Sequence, residues 1–295
     1  MMWVIWGVVS CCSYWGYIKF ARYRQLNQPI YDDSPTTHQA KVGTPTMGGL
    51  ILFLSFLSGL FIAGQWNLLV IWVAITTGLF WLIGLIDDSL ALFKKNNKGL
   101  TAKSKFLLQL IAASLCVFIL YKWLLPIPIW LAGVYVFLIT GASNATNLTD
   151  GLDGLLSSTM LVSLVGVFVL FESKWMFEEQ TMVFVMMAAI CFFLLFNWYP
   201  AKLFMGDVGS LMLGAFLASA VIVSGEWQML IGFGAIYVIE TLSVMLQVVW
   251  FKLYKTRIFL MSPIHHHFEL LGMRDVSVVI LFVVIQAILT WVQLL

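Results

Sequence analysis

Residues 68–88 read LLVIWVAITTGLFWLIGLIDD: nineteen uncharged side chains, then adjacent aspartates at 87 and 88. A membrane-crossing helix needs roughly 20 apolar residues, so this stretch reads as a span that stops on a pair of carboxylates. Comparable apolar runs, separated by polar or Gly/Pro breaks, fall near 2–18, 46–64, 67–86, 106–125, 128–143, 155–171, 180–196, 210–224, 229–251 and 276–295. Ten spans are expected, of which 128–143 and 210–224 are barely long enough to cross hydrocarbon. Composition agrees: 61% of the 295 residues are hydrophobic and 10% charged, whereas soluble domains are about a quarter charged. The fold class is all-α, one integral-membrane domain over residues 1–295, with no internal repeat.

Several classes fall away. A net charge of +2 without a basic cluster argues against nucleic acid as a partner. Cys11, Cys12, Cys116 and Cys191 lie inside apolar runs without CxxC spacing, so neither a disulfide framework nor a zinc site is expected. Met2–Ile18 lacks a basic flank and a small-residue cleavage site, and reads as a retained first span. One set of alternate loops holds fourteen basic residues: Lys19, Arg22, Arg24, Lys41, Lys94, Lys95, Lys98, Lys103, Lys105, Lys202, Lys252, Lys255, Arg257 and Arg274. The other set holds only Lys122 and Lys174. The positive-inside rule puts the first set in the cytoplasm, and ten spans then leave both termini outside.

The acids carry the chemistry. Asp87, Asp88, Asp150, Asp153 and Asp207 all fall at or near inner span ends. Carboxylates at a helix C-terminus oppose the dipole, and paired acids without arginine partners repel unless a cation is present. Oxygen-rich clusters of this kind suit Mg²⁺, which is held by one or two carboxylates and substrate phosphates. In Asn144–Gly154 (NATNLTDGLDG) the glycines permit close approach of a ligand, and Asp150 and Asp153 share a face if the segment is helical. In Asn197–Ser210 (NWYPAKLFMGDVGS), Asp207 lies between glycines at a helix start, where backbone N–H groups receive phosphate. A plain capping role for Asp207 or Ser210 is the simpler alternative there.

Pro263–Glu269 (PIHHHFE) holds three consecutive histidines, which cannot all reach one ion from a regular element but can meet phosphate or carry a proton. Gly99–Ser104 (GLTAKS) lacks the glycine that precedes the lysine of a phosphate-binding loop, so no ATPase motif is present. Glu240, Ser243 and Gln247 share one face of the ninth run. An acid inside the membrane is a functional candidate, with a structural hydrogen-bonding role as the alternative.

Five blocks, Gly43–Gly49 (GTPTMGG), Leu85–Asp88 (LIDD), Asn147–Gly154 (NLTDGLDG), Phe204–Ser210 (FMGDVGS) and Pro263–Glu269, together resemble the phospho-N-acetylmuramoyl-pentapeptide transferase family, within the polyprenyl-phosphate N-acetylhexosamine-1-phosphate transferases. The triple histidine favours the muramoyl branch. The resemblance implies ten helices and a Mg²⁺-dependent transfer from UDP-MurNAc-pentapeptide to undecaprenyl phosphate at the cytoplasmic face of a bacterial plasma membrane, and leaves room for a homodimer. It implies a catalytic set of Asp87, Asp88, Asp207, His265, His266, Asn197 and Lys41, with Asp207 on the metal. The implied substrate-binding set is Thr46, Lys95, Lys103, Asn147, Asp150, Gly151, Leu152, Asp153, Phe204 and His267, with the 151–153 loop, Phe204 and Lys95 around the nucleoside. One departure concerns charge: the family pattern has an aromatic residue directly after the acid pair and a lysine two positions further on, where this chain has Ser89 and Ala91. A sister transferase using UDP-GlcNAc and a membrane transporter are the competing readings; a transporter tends to place its site at the midplane between repeated halves.

Overall fold

The computed structural model describes residues 1–27, 43–93 and 99–295. Among these the chain is helical, its only extended pairing an isolated bridge between Asn27 and Pro45. The helices are α1 (Met2–Tyr23), α2 (Gly49–Ala63), α3 (Leu68–Phe93), α4 (Ala102–Ile119), α5 (Ile129–Thr149), α6 (Leu155–Ser173), α7 (Phe177–Asn197), α8 (Asp207–Val223), α9 (Leu230–Phe233), α10 (Ala235–Tyr254), α11 (Ile264–Leu270) and α12 (Asp275–Leu294).

Seven are long and apolar enough to cross a membrane: α3, α4 with its continuation to Leu124, α5, α6, α7, α10 and α12. The expected ten therefore resolve differently. The run at 2–18 does form a 22-residue helix, but Ser10, Ser13, Tyr14 and Tyr17 dilute its apolar character. The runs at 46–64 and 210–224 become helices of 15 and 17 residues, and at 1.5 Å per residue 17 residues reach only about 25 Å of a roughly 30 Å hydrocarbon layer. The run at 128–143, expected to be short, extends as α5 to Thr149 and is one of the seven.

Shortness in α8 goes with burial. Every residue from Val208 to Val223 is buried, so this helix is the core of the protein and never meets lipid. Its small residues, Gly209, Gly214, Ala215, Ala218, Ser219 and Ala220, let neighbouring helices approach closely, the usual way helices associate where no water drives them together. The most extensive packing is with α3 and α5. Thr146 Oγ1 of α5 donates to the Ser210 carbonyl at 2.8 Å. On α3, a Cβ at Gly84 would overlap the Asp207 carbonyl and crowd Val208 Cα at 2.5 Å.

The run at 229–251 is broken at Gly234 into α9 and α10. The groups freed by the break are met by one side chain from α12. Gln286 Oε1 accepts from Ile236 N at 3.0 Å, and its Nε2 donates to the carbonyls of Gly232 (3.1 Å) and Phe233 (2.9 Å). Irregular backbone at membrane depth persists only where such partners exist. At the end of the bundle away from Asp87, Asn67 accepts from Val70 N and donates to Glu179 Oε1, both at 2.8 Å. Lys174 pairs there with Glu226 at 2.8 Å.

The α3–α8 contact gives a stability test. Gly84→Val should destabilise the protein by about 1–3 kcal/mol, the scale of overpacking a filled interior. Gly133→Val on α5, with nothing within 4 Å of its Cβ position, should leave the thermal midpoint in detergent near wild type. Equal midpoints for the two variants would mean that α3 and α8 do not approach this closely.

Candidate functional site

Close packing at Gly84 sets the position of three carboxylates. α3 carries Asp87 and Asp88 one turn beyond that glycine, while Asp207 opens α8. The turn into α8 depends on Gly206, whose φ of +74° is a conformation few side chains tolerate; a Cβ there would also stand 2.5 Å from Asp88 Oδ2. Val208 N donates to Asp88 Oδ2 at 3.1 Å, so an α3 carboxylate receives one of the unpaired amides at the α8 N-terminus. Ligand atoms of Asp87, Asp88 and Asp207 all lie within 4.8 Å of one another.

Among the described residues one cation enters this cluster, and it comes from α4. Lys105 Nζ pairs with Asp87 Oδ2 at 2.8 Å and also with Asp207 Oδ2. The second oxygen of each acid is held too: Leu100 N donates to Asp87 Oδ1 at 2.6 Å, and Asn147 Nδ2 donates to Asp207 Oδ1 at 2.8 Å and to Ser210 Oγ at 2.9 Å. Three carboxylates face one ammonium there among the described residues, and the donors are all hard oxygens. The residues therefore fit a divalent cation such as Mg²⁺.

Around the cluster the sequence blocks dock on one another. Gly48 N and Gly49 N donate to the Phe204 and Met205 carbonyls at 2.8 and 3.0 Å, and Phe204 N donates to Pro45 O at 2.8 Å. The Gly43–Gly49 block is thus laid along the Phe204–Ser210 block, with Thr46 buried beside Gly206 and Phe204 half-buried. The loop between α7 and α8 is anchored from behind. Asn197 is buried, accepts from Ser157 Oγ at 3.0 Å and donates to the Leu203 carbonyl at 3.1 Å. Asp153 Oδ2 accepts from Ala201 N at 2.9 Å. Both residues, read from sequence as catalytic and substrate-binding, brace the loop that delivers Asp207. Leu152 is buried in the apolar core. Asp150, between α5 and α6, has its carboxyl held well above the usual carboxylate range, by burial first and then by the charges of Asp207, Asp88 and Asp153.

α11 brings in the histidines. His265 is fully buried, with Nδ1 3.0 Å from Glu240 Oε1 of α10, and its Nε2 sits where a Cβ on Gly151 would be. His266 Nδ1 lies 2.6 Å from Glu269 Oε2. His267 differs, since its Nδ1 accepts from Leu260 N at 3.1 Å and so secures the loop ahead of α11. Gln247 secures the same loop, accepting from Ile258 N and Phe259 N, each at 3.0 Å.

Lys103, expected at the substrate, is exposed at the start of α4, and Lys105 is the lysine that reaches the acids. Lys105 extends the buried stripe of α4, Gln109–Ala113–Cys116, and this helical spacing was the signal that could have found it. Glu240 was recognisable as a candidate, but its pairing with a histidine 25 residues later was not. Lys41 and Lys95 lie outside the described residues.

Residues 68–225 match the family model for glycosyl transferase family 4. A phospho-N-acetylmuramoyl-pentapeptide-transferase of Vesicomyosocius okutanii subsp. Calyptogena okutanii is 37% identical, over 94% of this chain and 86% of that one. One from Clostridium acetobutylicum is 38% identical over 95% and 92%, and one from Shouchella clausii 40% over 90% and 87%. Similarity at this level over nine-tenths of the chain shows the family, and the chain belongs to the phospho-N-acetylmuramoyl-pentapeptide-transferase family.

Proposed function

We propose that this multi-pass membrane protein transfers phospho-MurNAc-pentapeptide from UDP-MurNAc-pentapeptide to undecaprenyl phosphate, giving undecaprenyl-pyrophosphoryl-MurNAc-pentapeptide (lipid I) and UMP. The observation that carries the chemistry is the cluster of Asp87, Asp88 and Asp207 around Lys105 at one end of the helices. One pyrophosphate linkage is broken and another made, so no ATP is required and none of its motifs is present.

Asp207, with Asp87 and Asp88 beside it, would hold Mg²⁺, which when bound offsets the charge of two phosphates that must approach each other. Lys105 adds fixed positive charge at the same place. Asp87 has one oxygen on Leu100 N and the other on Lys105, so in this reading Asp88 takes the proton of the lipid phosphate, whose oxygen then attacks the donor's phosphorus. His266, beside His265, would meet phosphate. The Gly151–Asp153 loop and Phe204 form the nucleoside pocket, and Lys41 and Lys95 add positive charge for the donor. A lipid acceptor and a soluble nucleotide can meet only at a membrane face. The fourteen basic residues that the sequence assigns to one set of alternate loops, Lys105 of the cluster among them, support the cytoplasmic one. Ten crossings with both termini outside would follow if α1, α2 and α8 count as spans. The family names favour the muramoyl donor over UDP-GlcNAc, and a polar site at one face speaks against a transporter.

Asp207→Asn should abolish transfer in a chain that still folds and inserts, because the amide cannot replace a carboxylate at a cation; near-normal turnover at ordinary Mg²⁺ concentrations would remove Asp207 from the metal.

Lys105→Met should cost about 10²- to 10³-fold in kcat, as for other groups aimed at transition-state charge. Lys103→Met should stay within a few-fold, and steady-state assays of the two variants side by side decide between them. Matching losses would return the role to Lys103.

Cysteines introduced at Ser173 and Lys202, in a chain cleared of its own four, should react with impermeant reagents from opposite sides of the membrane, Lys202 from the cytoplasm. Labelling of both from one side would overturn the topology.

A further inference from the structure

Glu240 sits in α10, a helix apolar enough to cross the membrane, and is completely buried, as is its partner His265. A carboxylate in such a place is expensive and persists only with a partner and a reason. Its Oε1 lies 3.0 Å from His265 Nδ1, while Glu240 Oε2 and His265 Nε2 are both buried without a hydrogen-bonding partner among the described residues. The two Nδ1 and Nε2 edges of the ring therefore face different surroundings. Nδ1 looks back into the membrane bundle at the carboxylate. Nε2 looks toward Gly151, between Asp150 and Leu152, at the loop next to Asp207.

The backbone is arranged to keep the ring there. Pro263 starts α11 directly ahead of Ile264 and His265. Gln247, two turns along α10 from Glu240, grips Ile258 and Phe259 through three hydrogen bonds of 3.0 Å. α10 thus holds both the loop leading into α11 and the histidine at its start.

We infer that Glu240 is a positioning residue for His265. The carboxylate receives the Nδ1 proton and so fixes the tautomer, leaving Nε2 as the ring atom that meets the donor substrate. When Nε2 also carries a proton, the positive ring faces a phosphate oxygen and the carboxylate behind it balances the charge, the arrangement that orients histidines in other enzymes. The inference rests on the proposed transfer reaction for the identity of that phosphate, and on geometry alone for the pairing.

Glu240→Gln keeps size and a hydrogen-bonding group but lets the amide donate to Nδ1, which moves the ring proton to Nε2. It should lower kcat by about 10- to 100-fold, with a smaller change in KM and an unchanged thermal midpoint. Combined with His265→Ala, it should add nothing to the loss from His265→Ala alone, since the carboxylate acts through the ring. Histidine-¹⁵N NMR of the full-length protein in nanodiscs, with His265→Ala to assign the resonance, reads the tautomer without substrate. The wild type should show His265 protonated at Nδ1, and Glu240→Gln should shift that proton. Losses that multiply in the double variant, wild-type kcat in Glu240→Gln, or a wild-type ring with Nδ1 unprotonated would overturn the inference. Absence of transfer by the wild-type chain would sink the proposed substrate instead, and the NMR result would still judge the pairing.

Discussion

The approach of α3 to α8 at Gly84 is the constraint on which the site depends. It brings the C-terminal part of one helix, with two aspartates, against the N-terminus of another that starts on a third. Unfavourable alone, the acids at the end of α3 become favourable once Asp88 receives an amide from the positive end of α8. Three negative groups would still repel one another, and Lys105 from a third helix lessens that. Packing, dipole and charge each address a cost that one of the others creates.

Much of this was legible in the sequence, for identifiable reasons. Long uncharged runs announce helices in a membrane because no other open structure satisfies the backbone there; the run at 67–86 gave the start of α3, whereas the helix continues past the acid pair to Phe93. The acids at 87 and 88 were readable because a carboxylate pair toward the C-terminal part of a helix opposes its dipole, and Asp207 because glycines flank it at a helix start. What could not be read was whether a run faces lipid or protein. The run at 210–224 is as apolar as a span, and only the structure shows that its composition serves burial by other helices. Lys103 and Lys105 were likewise indistinguishable until the phase of α4 was known. Asn197 and Asp153 were found as residues that matter, but not their bonds to Ser157 and Ala201, which join segments 40 and 48 residues apart.

The place of Ala91 becomes clearer in the same light. A lysine at that position would have come from α3 itself, whereas Lys105 approaches from α4 and bridges acids on two helices. A cation shared between α3 and α8 also ties together the two elements whose separation sets the site. The charge missing after the acid pair is therefore not missing from the cluster.

Lys105 also bears on how the protein is made. Chains emerge N-terminus first, so α3, α4 and α8 are all synthesised before residue 264, where the histidine helix begins. The carboxylate cluster is complete in sequence while α10, α11 and α12 are still to come. An internal ammonium gives those acids a counter-ion that depends on neither substrate nor the later helices. The nascent bundle can close around its most highly charged point early, and the last fifth of the chain, from α10 onward, is added to a site whose electrostatics are already partly settled.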